Sequence, residues 1–395
     1  MNRSKHTGLV FSLILLFYLS SCGNPGGSQE RQDQIRDGDR HIAAGSRLSS
    51  DSRGQPAGNN GSVAVRDILG REVFIPSRIN RVAGLRAGAL RLLVYMDLAD
   101  RIAGVEQNEK RGSTPYMKAH PELAQLPSLG PSMGGDAELI LKSKPDLIFL
   151  TYTTAGDADA LQQKTGIPVI ALECTEFGTA RDTLFASLKL IGKIMDRSGR
   201  ADTLINYIEN SIAELNRRSS GTAESEKPLV YIGGVGYSGS YGINSTQPFF
   251  PPFMFLNARS PASEIDKRLI SHVKGTHIDT EQLMLWNPDI LFIDESGLNL
   301  VKQDLRRGTA LFNRLKAVEE NRMYTLLPYN NYATNYEMVL ANAWFAGKIL
   351  YPEKFSDIDA DEKTKEVYRI FLGRDISDEI KPSSSAFRNI SKNEL

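Results

Sequence analysis

Hydrophobic and polar positions along the chain fall into short apolar runs separated by longer stretches of helical spacing. Positions 63–74 read as a hairpin turning at Leu69-Gly70. Arg81-Val82-Ala83-Gly84-Leu85 predicts a strand, 87–98 a helix, and 102–105 a further strand. Residues 137–143 predict a short helix stopped ahead of Pro145, followed by a buried strand at 147–151. A helix ending over 161–165 then leads to a strand at 169–172. The region 183–218 predicts a long helix interrupted near 196–199. Its second half sets Leu204, Ile205, Ile208, Ile212 and Leu215 on one face, as in a helix packed on one side. After a polar break at 221–228 the alternation resumes: strands at 229–232, 290–293 and 323–326, and helices from 303 onward and over 336–350. Strands alternating with helices indicate parallel, doubly wound sheets.

One phrase occurs twice. Asp136-Ala137-Glu138, an apolar run and Pro145-Asp146-Leu147-Ile148-Phe149 return as Asp279-Thr280-Glu281, an apolar run and Pro288-Asp289-Ile290-Leu291-Phe292. Pro145 to Pro288 and Glu138 to Glu281 are both steps of 143 positions, too long for a solenoid. Two similar α/β lobes, each carrying one helix–turn–strand unit, explain the spacing, with 183–219 as a rigid connecting helix and a ligand cleft between the lobes. Asp136 and Asp279 precede their helices and are placed to cap them. Glu138 and Glu281 fall in the first turns, where the helix dipole favours negative charge.

The N-terminus adds a second kind of information. Arg3, Lys5 and His6 precede an apolar stretch, 9–19, too short to span a bilayer, and then Leu19-Ser20-Ser21-Cys22. Residues 1–21 are expected to be a secretory signal and Cys22 a lipidated residue, Leu19-Ser20-Ser21-Cys22 being similar to a bacterial lipobox. Residues 22–62, poor in large apolar side chains, are expected to form a flexible tether. Ordered lobes are expected over 63–182 and 220–378, with a flexible tail at 379–395. With Cys22 lipidated, Cys174 is left without a disulfide partner and is expected to be a small buried residue.

Composition mainly excludes. The 395 residues carry a formal net charge of +0, with 24% charged and 41% hydrophobic, and no basic stripe points to nucleic acid. There is no Gly-x-Ser-x-Gly elbow, His-Glu-x-x-His, complete P-loop or Cys-x-x-Cys, so no enzyme and no cofactor is expected. The mature chain keeps His41, His120, His272 and His277, whose spacing does not make a transition-metal site.

Together the lipobox, the helical strut and the doubled Glu…Pro-Asp phrase resemble the periplasmic binding proteins of iron-siderophore, haem and cobalamin ABC importers. The segment Leu327-Pro328-Tyr329-Asn330-Asn331-Tyr332-Ala333-Thr334-Asn335 and the following Ala341-Asn342-Ala343-Trp344 run are similar to an iron-complex-binding branch. The resemblance covers about 63–373. It implies an extracytoplasmic, lipid-anchored, monomeric binding protein with two Rossmann-like lobes, delivering to a permease dimer and its cytoplasmic ATPase. It also implies that Glu138 and Glu281 dock onto permease arginines. The implied cargo is a ferric, siderophore-like complex, with molybdate or tungstate, or haem or cobalamin, as alternatives.

Ligand residues are expected in loops at the carboxyl ends of strands. Arg86 stands at a helix start, either holding an anion or facing solvent. Tyr152 follows the 147–151 strand among threonines. Tyr237, Ser240 and Tyr241 lie in a glycine-spaced loop, either an amide cradle or a plain turn. Tyr329, Asn331, Tyr332 and Asn335 form a polar-aromatic cluster, Asn335 being alternatively only a helix cap.

Overall fold

A computed structural model describes residues 61–395, except 176, 238, 271–274, 382–383 and 395. The expected leader, Cys22 and nearly all of the tether lie outside the described residues, as does His272.

Strands β1 (Ser62–Arg66) and β2 (Glu72–Pro76) form the expected antiparallel hairpin. Asp67 shapes its turn by accepting from the Leu69 and Arg71 amides at 3.0 and 2.9 Å. Its other oxygen takes the Ala171 amide at 3.1 Å, tying the hairpin to the first lobe.

That lobe holds a parallel sheet of β3 (Val82–Leu85), β4 (Leu147–Leu150) and β5 (Val169–Ala171), in the order β3-β4-β5. The second lobe begins with β6 (Val230–Gly233) and a two-residue ribbon, β7 (Ser245–Thr246) with β8 (Thr276–His277). Its sheet adds β9 (Ile290–Asp294) and β10 (Met323–Leu326), parallel in the order β10-β9-β6. In each lobe a single parallel bridge extends the first strand on its other side: Val82 to Ile102, and Leu229 to Arg259. Strand order therefore reverses between β3 and β4 and again between β6 and β9. Those two carboxyl-end crevices are where a doubly wound sheet takes its ligand.

The predicted strand at 102–105 is not a strand. Ile102 pairs with Val82 and Val105 with Ser128, so the run passes from one partner to another and builds no ladder.

The pleat divides each sheet between two cores. Ile148 and Leu150 face a small core with Ala83, Leu85, Leu129 and Ile140, and Leu291 and Ile293 face another with Val301, Leu305 and Ile390. The opposite faces, with Leu147, Phe149, Ile290 and Phe292, all enter one large core shared by both lobes. The connection contributes Leu188, Ile191, Leu204 and Ile208 to it. That connection is a pair of helices, Arg181–Met195 and Ser198–Ser219, broken where Asp196 takes a left-handed conformation at φ 55°. Each large side chain withdrawn from that shared core costs about 1.5–3 kcal/mol, so hinge opening that exposes it is strongly opposed.

The described residues of the predicted flexible tail at 379–395 are instead packed. Phe387 stacks on Phe345 at 4.8 Å, Ile390 is fully buried, and the Phe387 and Ile390 amides donate to Thr325 and Met323 carbonyls at 2.9 and 2.8 Å. β10 ends its sheet with an open edge, and the tail covers that edge. Among the described residues no helix is long and apolar enough to cross a membrane.

Candidate functional site

Arg86 follows β3 directly, at the first lobe's switch point, with φ 66°. Its amide donates to Glu106 Oε2 at 2.8 Å. Its Nη1 donates to the Tyr152 carbonyl, and its Nη2 stands 3.9 Å from Asp157. Nε is buried without a hydrogen-bond partner. A Cβ built on Gly134 would lie 3.5 Å from that Nε, an ordinary contact, so the glycine stands directly beside it. Burying an N–H without an acceptor costs about 1–3 kcal/mol, which makes Nε a ready donor for an oxygen placed there.

Tyr152, at the end of β4 with φ 47°, is 47% exposed. Its hydroxyl donates to the Cys174 carbonyl at 3.1 Å, and burial of that hydroxyl pushes its pKa up to about 12. The phenol is therefore fixed and neutral, in a residue that remains half exposed after β4. Cys174 itself is buried, as expected.

Across the crevice, the glycine-spaced loop after β6 packs onto the turn after β9. A Cβ on Gly236 would sit 2.5 Å from Ser296 Oγ. The Gly234, Val235 and Tyr237 amides already donate to Gly242, Ser245 and Gly239 carbonyls. The glycines thus serve close packing, and these amides form no open cradle. A short helix, Pro251–Phe255, follows. Within the loop Ser240 is exposed, Tyr241 packs edge-on against His277 at 5.1 Å, and Tyr237 is half-buried beside Gly275.

The loop after β10 joins the two lobes. Tyr332 donates from its hydroxyl to Glu106 Oε2 at 3.0 Å. Glu106 is buried and also accepts the Gly134 amide at 2.8 Å through Oε1. Burial raises its pKa, while its hydrogen bonds from Gly134, Tyr332 and Arg86 pull the other way. Asn331 and Tyr332 are half-buried, and Asn330 Nδ2 donates to the Gly236 carbonyl at 3.3 Å. Two of the predicted residues turn inward. Tyr329 is 2% exposed, with its hydroxyl on Gln247. Asn335 is fully buried and makes no side-chain cap bond. Its Nδ2 donates to Tyr329 and Asn331 carbonyls at 2.9 and 3.1 Å. The structure therefore groups Arg86 and Tyr332 around Glu106, with Tyr152 tied to Arg86 through its carbonyl, and turns Tyr329 and Asn335 inward.

Sequence reasoning missed Glu106 and Arg91. Arg91 belongs to the helix Ala89–Tyr95, of which every residue is buried. Its Nε donates to Asn335 Oδ1 at 3.1 Å, and its Nη2 to the carbonyls of Asn331, Tyr332 and Ala333 at 3.0, 2.7 and 3.3 Å. A charged residue inside an otherwise apolar helix was the available signal.

The doubled phrase is the same local machine in each lobe. Asp136 caps Ala137–Ser143 by accepting the Glu138 and Leu139 amides at 3.0 and 3.1 Å, and Asp279 caps Thr280–Trp286 through Gln282 at 2.7 Å. Left-handed Lys144 and Asn287 end the helices. Asp146 then accepts the Asn80 and Arg81 amides at 2.7 and 2.9 Å, and Asp289 accepts the Leu229 amide at 2.7 Å. The Pro-Asp pairs thus fasten the start of each lobe's first strand to its neighbour. Only three residues separate each helix from its strand, so the helix runs back along the sheet. Exposed Glu138 and Glu281, in the first turns, therefore stand at the same end of each lobe as the switch points.

A cavity of about 140 Å³ lies elsewhere, lined by Leu327, Tyr368, Ile380 and Phe387 among others. None of the predicted ligand residues lines it. Among the described residues no three His, Cys, Asp or Glu side chains converge as metal ligands. His120 is bonded to Glu122 and to the Leu372 carbonyl at 3.0 and 3.1 Å.

The periplasmic binding protein family model matches residues 82–329. The molybdate-binding protein MolA of Haemophilus influenzae is 25% identical over 329 residues, 78% of this chain and 90% of that protein. The molybdate-bound crystal structure of MolA matches with a TM-score of 0.61 at 22% identity, covering 79% of this chain and 98% of that one. A periplasmic solute-binding protein of Veillonella parvula gives 0.62 at 22% identity, over 80% and 95% of the two chains. Helicobacter pylori CeuE, solved with Ni(II), gives 0.56 at 17% identity, over 81% and 99%. These structural likenesses establish a shared fold.

Proposed function

The chain belongs to the periplasmic binding protein family, and within it we propose that this protein captures an oxyanion of the molybdate class between its lobes, met by Arg86. It is the substrate-binding protein of an ABC importer, works outside the cytoplasm and is not an enzyme. The observation that carries the cargo reading is the buried, unpartnered Nε of Arg86, beside Gly134 at the switch point. A guanidinium offers paired donors to tetrahedral oxygens, and partial burial strengthens each bond. Ties between the lobes favour a small ligand: Arg91 and Tyr332 already bridge the crevice. Similarity to a molybdate-binding protein supports the same choice.

A ferric complex of the siderophore type is the second reading, and haem or cobalamin makes the same demand for area. The observation in its favour is Tyr152, 47% exposed at the end of β4, which a larger ligand would cover. Native mass spectrometry of the purified protein, titrated with molybdate, tungstate and a ferric hydroxamate complex, separates the two. The oxyanion reading expects a one-to-one molybdate adduct. A ferric adduct with no molybdate adduct would reverse the choice.

On the same reading Glu138 and Glu281 contact the permease, one from each lobe. Cys22 carries the lipid that holds the protein at the membrane. Incorporation of labelled palmitate, lost in Cys22→Ser, tests the anchor.

A further inference from the structure

Tyr332 and Ala333 are consecutive residues in the left-handed region, at φ 52° and 69°. Neither has the short polar side chain or the missing Cβ that makes this conformation easy. Strain of that kind persists where the surroundings impose it. Here the imposing group comes from the other lobe. One nitrogen of Arg91, Nη2, is the shared donor to the carbonyls of Asn331, Tyr332 and Ala333, so three oxygens that would repel one another converge on a single positive group. Arg91 is itself held rigidly. It is fully buried, lies over the Tyr116 ring at 5.1 Å, and donates through Nε to Asn335.

The consequence runs back to the first lobe. The conformation of 331–333 places the Tyr332 hydroxyl on Glu106 Oε2, and the same oxygen accepts the amide of Arg86. Glu106 Oε1 holds the amide of Gly134, which stands directly beside Arg86 Nε. A path of direct bonds therefore leads from Arg91 through the loop to Glu106 and the backbone of Arg86.

We infer that Arg91 is a positioning residue for ligand binding. It holds the 331–333 loop of the second lobe in its left-handed form, and thereby sets Tyr332, Glu106 and Arg86 in their relative places without touching the ligand. Lysine cannot replace it, because an ammonium lacks the flat fork that reaches Asn335 and the carbonyls together. This rests on the reading that the ligand meets Arg86, and the test separates the two.

Calorimetric titration with molybdate would compare wild type, Arg91→Lys, the double variant Arg91→Lys with Ala333→Gly, and Arg86→Ala. Arg91→Lys should bind about tenfold more weakly. Glycine at 333 adopts the left-handed conformation without a restraint, so the double variant should recover most of that loss. A residue that merely ties the lobes together would lower thermal stability and would not be rescued by glycine. Wild-type affinity in Arg91→Lys, or a loss that Ala333→Gly leaves untouched, overturns the inference. If Arg86→Ala binds normally while the Arg91→Lys loss and its rescue are seen, the inference stands and the contact assigned to Arg86 falls. Should Arg91→Lys fail to fold, Arg91→Gln, which also lacks the donor fork to the 331–333 carbonyls and leaves no unpaired charge, takes its place, and its rescue by Ala333→Gly is read in the same way.

Discussion

Arg91 Nε and Asn335 Oδ1 meet at 3.1 Å although 244 positions separate them in the chain. The bond joins the first helix of one lobe to the entrance of the Tyr336–Leu350 helix of the other, directly under the crevice. With the shared core below it, this tie gives a cleft that is largely preformed, so little ordering cost is left to binding.

Arg86→Met removes the guanidinium, Nε included, and keeps an unbranched side chain in the place of its stem. Molybdate affinity should fall about 100-fold, equivalent to about 2.7 kcal/mol. The melting temperature should barely move, because the native guanidinium makes one carbonyl bond and one long ion pair. Calorimetry beside a thermal melt checks both halves.

Asp146→Ala leaves the amides of Asn80 and Arg81 without their acceptor. A loss of about 1–3 kcal/mol in stability is expected, measured by urea unfolding, with molybdate affinity unchanged. A fall in affinity at unchanged stability would contradict the fastening role.

How much was legible in the sequence follows from the kind of signal each residue gives. The Ala137–Ser143 and Tyr336–Leu350 helices and the Met323–Leu326 strand stand where periodicity and flanking residues put them. Capping by Asp136 and Asp279 was readable because it is a local contact. Arg86 and Tyr152 were readable as strand-end residues because a strand end is a local feature too. Arg91 and Glu106 were missed because their partners lie 240 and 226 positions away, on Asn331 and Tyr332. The tail was misread because Phe387 and Ile390 are isolated among polar residues, and only the open edge of β10 gives them a place to pack.

Glu138→Ala combined with Glu281→Ala should abolish transport in vesicles carrying the permease while leaving ligand affinity alone. Both glutamates are exposed at helix first turns and support no other part of the fold described above. Normal transport by the double variant would remove them from the docking face.

Several buried acids, Glu106 and Glu337 among them, set the response to pH, and Asp294 and Glu109 show it most clearly. Burial pushes the carboxyls of Asp294 and Glu109 up to about 7 each, against hydrogen bonds from Ser296 and Tyr116. The folded state therefore binds protons between about pH 4 and 7 that the unfolded chain releases, at about 1.4 kcal/mol per unit of difference. Stability should rise as pH falls from 8 to about 5.5. Asp294→Asn should flatten that rise and stabilise the protein at pH 8. Thermal melts across this range decide it, and a wild type most stable at pH 8 would run against it.

The most direct test is a crystal structure with molybdate, the metal located by its anomalous scattering. Molybdenum is expected at the crevice between the lobes, with a molybdate oxygen within hydrogen-bonding distance of Arg86 Nε and close to Gly134. Molybdenum bound away from Arg86, or a crevice that takes up a ferric complex and no molybdate under matched conditions, would contradict it.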